Sequence, residues 1–195
     1  MVNHQAEITL LIAAPILILL IIASPLMIRV LLSQEFMHIA GLIRILSFGM
    51  IFKAASYSIG AISYAKGDKK VFFIMEGGYT NLSFLIFCAA GYYLGGLEGL
   101  GYGFVLMHIL YFIFINILNR RLYEFKMSKE FIVMFMILLL LTFAAFISFT
   151  IADGVLAYSI SILAAAVSII YSYIQLDMRI GIKEFIYNRI LKKSE

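Results

Sequence analysis

Six long apolar runs, at approximately 8–32, 39–64, 71–93, 97–119, 130–151 and 155–176, take up most of this chain, and its basic residues collect in every second gap between them. At about 1.5 Å of rise per residue, each run as a helix crosses a hydrocarbon core of about 30 Å. Segments such as Ile132 to Phe149 are apolar on every side and show no strict alternation, which argues against both barrel strands and amphipathic soluble helices. The expected fold class is all-α: a polytopic membrane bundle of six transmembrane helices over 1–176, followed by a basic tail over 177–195. With 64% hydrophobic residues and a mean hydropathy of +1.03, too few polar groups remain to cover a soluble globule.

Charge sets the expected orientation. Lys66, Lys69 and Lys70 lie in one gap, Arg120, Arg121, Lys126 and Lys129 in another, and Arg179, Lys183, Arg189, Lys192 and Lys193 in the tail. The opposite side offers Arg29, while Arg44 and Lys53 fall inside the second run. By the positive-inside rule both termini are expected in the cytoplasm. The net charge of +4 suits anionic lipid headgroups and is no sign of nucleic acid, since no basic-aromatic stripe lies outside the runs. Cys88 is alone, so no intramolecular disulfide forms, and no metal-ligand spacing is present. The first run is longer than a signal-peptide core and lacks a basic lead, so it reads as a mature span. Its abrupt position suggests that the front of a larger protein precedes it. In the tail, Ile182, Phe185, Ile186 and Ile190 share one helical side among basic residues, consistent with a cytoplasmic interfacial helix or with a frayed basic end.

The residues that carry chemistry are the ionisable ones at membrane depth. Lys53 sits near the middle of the second run, about 20 Å from either end at helical rise, and needs an internal partner or a wet cavity. Arg44 and Lys53 together cost about 5 to 7 kcal/mol at mid-span, whereas the nine Leu, Ile and Phe residues from Leu42 to Ile62 return about 3 to 5. Packing against other helices must therefore hold this span. Gly49, Lys53, Ser56, Gly60 and Ser63 follow spacings of three and four and form a small, polar face expected to border a cavity. Arg44, nine residues before Lys53, falls on the opposite side. Glu76, Thr80 and Ser83 form a second polar stripe, with Glu76 expected to pair with Lys66, Lys69 or Lys70. His108, with Tyr111 one turn on, reads either as a proton-relay group or as a histidine bonded to a neighbouring helix. Tyr57, Tyr64, Tyr79, Tyr92 and Tyr93 suit sugar contact or interfacial anchoring.

Pro15 and Pro25 are expected to kink or unwind the first run. Gly91, Gly95, Gly99 and Gly103 recur every four residues around the reversal between the third and fourth runs, where they allow close helix approach. No nucleophile, base and acid set and no paired carboxylates are present, so enzyme activity is not expected. A cationic interior suits an anionic ligand such as a phosphate or pyrophosphate group, with no cofactor required.

The stretch Leu42-Ile-Arg44-Ile-Leu-Ser-Phe-Gly49, followed by Lys53, Ser56 and Gly60 and then by Tyr64-Ala-Lys66-Gly67-Asp-Lys-Lys70-Val-Phe-Phe-Ile-Met-Glu76, resembles Wzx-type O-antigen and polysaccharide flippases. The Ile12-Ala-Ala-Pro15 helix and the Gly96-Leu-Glu-Gly-Leu-Gly101 reversal are similar to the later half of that family. It belongs to the superfamily of multidrug exporters and the lipid II flippase. The resemblance implies part of a MATE/MOP-type transporter, its C-terminal portion, in a bacterial cytoplasmic membrane, with a missing N-terminal lobe or a second membrane chain as partner. It implies translocation of an undecaprenyl-pyrophosphate-linked oligosaccharide for polysaccharide biosynthesis. Carried onto this sequence, it assigns Arg44 and Lys53 to substrate contact, with Ser56 beside them, and Lys66 and Lys70 to the cytoplasmic rim. A cation-coupled exporter of the same superfamily and a non-transporting membrane assembly subunit are the competing readings.

Overall fold

The computed structural model describes residues 2–152 and 154–181; the interfacial helix expected around Ile182 to Ile190 lies outside them. Helices α1 (Val2–Leu31) and α2 (Ala40–Gly60) are joined by a short 3-10 turn, Gln34–Ile39. Two single turns follow, α3 (Ile62–Ala65) and α4 (Lys69–Phe72), then a π-helical stretch, Phe73–Tyr79, which runs into α5 (Thr80–Tyr123). Helices α6 (Lys129–Ile151) and α7 (Gly154–Ile180) complete the described chain. Among the described residues, five helical stretches are long and apolar enough to cross a membrane, and the third of them, Lys69–Tyr123, runs for 55 residues.

That third stretch covers two of the six expected runs, and it folds back on itself. Helical geometry fails only at Gly95 (φ −146°, ψ 22°) and Gly96 (φ 60°, ψ −141°), the latter in a region that a Cβ atom forbids. Antiparallel contacts then zip the two arms together. Phe84 meets Phe104 edge-on, Tyr79 stacks on Phe114 at 4.7 Å, and the Tyr123 hydroxyl reaches Asp68 at 3.1 Å. Near the turn the backbones touch: a Cβ on Gly91 or Gly99 would lie about 2 Å from the other's carbonyl oxygen, and one on Gly103 would meet that of Phe87. The reversal takes only two residues, Gly95 and Gly96, between the two helical arms.

Helix α1 packs against α2, α6 and α7, while α2 packs against the α5 hairpin. The core draws Leu10, Leu11 and Ala14 from α1, Ile51, Ala55 and Ile59 from α2, Met107 and Tyr111 from α5, and Phe131, Met134 and Leu138 from α6. Helix α7 presents Ala157, Ser161, Ala164, Ala165, Ser168 and Ser172, all buried, at spacings of three and four. Lipid gives little hydrophobic drive between helices, so small side chains and interhelical hydrogen bonds hold such a contact. One of those bonds joins Ser148 and Ser161 at 2.7 Å.

The two prolines do not interrupt α1, which stays helical from end to end. Pro25 has no N–H for the Ile21 carbonyl. The Ser24 hydroxyl donates to that oxygen instead, at 2.9 Å, and accepts from Arg44 Nε at 3.0 Å.

At one end of the bundle, Glu7 of α1 accepts from Arg179 of α7 at 2.8 Å and from Ser128, which caps α6, at 3.1 Å. Asn3 also donates to the Lys126 carbonyl at 3.1 Å. The start of α1, the 65–68 and 124–128 connections and the end of α7 therefore share one end, with their basic residues. Turns 33–39 and 95–96, together with Ala152 and Gly154, occupy the other.

Candidate functional site

A cavity of about 390 Å³ opens between α1, α2 and the α5 hairpin, on the half of the bundle nearer the basic end. Both walls depart from regular helix. Helix α2 breaks at Ala61, where the buried Asn119 side chain donates to the Ile59 carbonyl at 2.9 Å. Opposite, the π-helical turn carries Glu76, with Thr80 donating back to the Met75 carbonyl at 2.7 Å. Such widened turns recur at functional sites because they re-aim side chains that a regular α-helix directs elsewhere.

Lys53, Ser56, Gly60, Glu76, Thr80, His108 and Tyr111 all line this cavity, with Gln5, Tyr57, Tyr64 and Phe72 toward its mouth. Lys53 is exposed on it, alongside the exposed Tyr57 and Tyr64, and makes no ion pair or hydrogen bond among the described residues. Ser56 is fully buried and bonds the Lys53 carbonyl at 3.1 Å. Glu76 accepts a hydrogen bond from the Tyr111 hydroxyl across the hairpin. A Cβ on Gly60 would lie 3.0 Å from both of those oxygens, so glycine gives α2 its close approach to the pair. His108 is buried, with Nδ1 at 2.9 Å from the Phe104 carbonyl. A carbonyl only accepts, so Nδ1 carries a proton, and the ring shares the cavity with Lys53.

Several expectations change here. Glu76 pairs with Tyr111 and not with Lys66, Lys69 or Lys70, because those lysines stand exposed at the bundle end while the carboxylate turns into the hairpin. His108 bonds its own helix, neither a neighbouring one nor a carboxylate. Of the α2 face, Gly49 and Ser63 do not line the cavity: Gly49 underlies the Phe104 ring, and Ser63 is buried against the Gly60 carbonyl. Lys66 and Lys70 stand exposed by the mouth and do not line it.

Arg44 is absent from this cavity. It lines a separate one near the other bundle end, its guanidinium 4.0 Å above the Phe149 ring. The half-turn between Arg44 and Lys53 on one helix separates the two sites.

Sequence reasoning missed two features. Glu7 is a buried acid, overlooked because its partner Arg179 is 172 residues away. Asn119 was passed over as part of a span end, although a polar residue within an apolar stretch was a usable signal.

Comparison with family models, with curated proteins and with solved structures finds no match to this chain.

Proposed function

We propose that this chain is part of a membrane transporter that moves a lipid-linked, pyrophosphate-bearing oligosaccharide across a bacterial cytoplasmic membrane. One observation carries the reading: the Lys53 ammonium, in the middle of an apolar run, is exposed on an open cavity and makes no ion pair among the described residues. An unpaired charge at that depth costs several kcal/mol facing hydrocarbon, and a phosphate anion in the cavity offsets that cost. Tyr57, Tyr64 and Phe72 along the wall suit sugar rings, and Lys66, Lys69 and Lys70 by the mouth suit the approach of an anionic headgroup. The resemblance of the Arg44 to Glu76 stretch to polysaccharide flippases supports the same substrate class. In this reading the folded-back third stretch counts as two crossings, giving six, and the basic bundle end faces the cytoplasm.

The test is translocation of a fluorescent pyrophosphate-linked glycolipid in proteoliposomes holding the chain with any partner membrane unit it requires. Lys53→Ala is expected to lower the rate at least about tenfold, the size of one charge-assisted hydrogen bond, with Lys53→Arg retaining most of it. Undiminished translocation by Lys53→Ala would overturn the proposal.

A second reading, cation-coupled export, is favoured by Glu76, which the fold brings into the same cavity beside Tyr111. It predicts that Glu76→Gln abolishes proton- or sodium-dependent efflux of a cationic dye, with Lys53→Ala nearly silent.

A further inference from the structure

The cavity around Arg44 holds two opposite charges that do not meet. Arg44 uses Nε on Ser24, which leaves both terminal nitrogens of the guanidinium without a hydrogen-bond partner among the described residues. On the same cavity Glu98, just past the Gly95–Gly96 turn, likewise has neither ion pair nor hydrogen bond among the described residues. Its carboxylate lies against the first turn of α2, where a Cβ on Gly41 would be 3.2 Å from Oε1. Gly41 and Arg44 are three residues apart, so the carboxylate and the guanidinium stand over neighbouring turns of one helix face.

Depth and size narrow the occupant. Arg44 is four residues into α2, about 6 Å from its end. The α2 and α3 segments together exceed the hydrocarbon thickness by several ångströms, which puts the guanidinium at the border between chains and headgroups. The cavity measures about 260 Å³, about nine times the roughly 30 Å³ of a water molecule in the liquid. That space suits one small headgroup. Tyr102, Phe146 and Phe149 line the rest, apolar contacts for a glycerol backbone.

We propose that this cavity binds a phosphoethanolamine lipid headgroup, with the phosphodiester on the Arg44 guanidinium and the primary ammonium on the Glu98 carboxylate. The guanidinium fork matches two phosphate oxygens. A carboxylate selects an ammonium with N–H donors over a quaternary one. The site is independent of the Lys53 cavity and of what passes through it.

The test is native mass spectrometry of the purified full chain, titrated with phosphatidylethanolamine, phosphatidylcholine and phosphatidylglycerol of matched acyl chains. The ethanolamine lipid is expected to bind about tenfold more tightly than either other lipid, as one charge-assisted hydrogen bond provides. Glu98→Gln, a change at an exposed position, is expected to erase that preference while phosphatidylglycerol still binds through Arg44. Equal retention of the three lipids by the unmodified chain, or a preference that survives Glu98→Gln, would overturn the assignment. Free phosphoethanolamine binding as tightly as the lipid would overturn the lipid as its source.

Discussion

Ser24 shows how one hydroxyl can do the work of a missing amide. It is fully buried, donates to the carbonyl that Pro25 leaves bare, and accepts from Arg44. Replacing it with Ala strands the Ile21 carbonyl and removes a partner of the half-buried Arg44 guanidinium, at a cost of about 1 to 3 kcal/mol. Ser24→Ala is therefore expected to lower the thermal midpoint of the detergent-solubilised chain. Adding Pro25→Ala restores an N–H to the Ile21 carbonyl and should recover part of the loss. If the double variant is no more stable than the single one, the hydroxyl does not fill the proline's gap. Both prolines and Arg44 stand out in the sequence, but their connection through Ser24 does not. Arg44 is 20 residues from Ser24, and no periodicity links two different helices.

The hairpin within Lys69–Tyr123 depends on backbone contact between its arms. Gly99→Ala would place a Cβ 2.1 Å from the Gly91 carbonyl oxygen, and backbone atoms cannot rotate away as a side-chain tip can. A loss of about 3 kcal/mol or more is expected, the upper range for single overpacking changes. Gly78→Ala, which meets nothing within 4 Å, is expected to be neutral or to stabilise by up to about 1 kcal/mol. Unfolding in sodium dodecyl sulfate compares the two, and equal midpoints would rule out backbone contact at the turn. The four-residue glycine spacing made this close approach readable from sequence. The π-helical turn around Glu76 was not, because the stretch from Phe73 to Tyr79 carries no residue that α-helix excludes; its register follows from the Tyr111 and Thr80 contacts.

Across the bundle, the contacts of Glu7, Asn3 and Asp68 gather the basic connections at one end. If that end faces the cytoplasm, a single cysteine at Lys126 should react with an impermeant maleimide only from the cytoplasmic side, and one at Leu94, exposed beside the turn, only from the other. Labelling of both positions from one side would exclude a third stretch that crosses twice. Composition and the spacing of apolar runs were enough to assign the all-helical class and helices long and apolar enough to cross a membrane, because hydrocarbon forces backbone groups to bond within each segment and leaves few alternatives. They also pointed to Lys53, since an ammonium deep in an apolar run is costly wherever the run ends up. Which groups meet around it was undetermined until the helices packed. Glu76 could turn toward solvent lysines or toward Tyr111, and Arg44 could join Lys53 or stand apart. Those outcomes depend on helix rotation and on contacts between segments far apart in the chain, and a one-dimensional pattern of hydropathy carries no information about either.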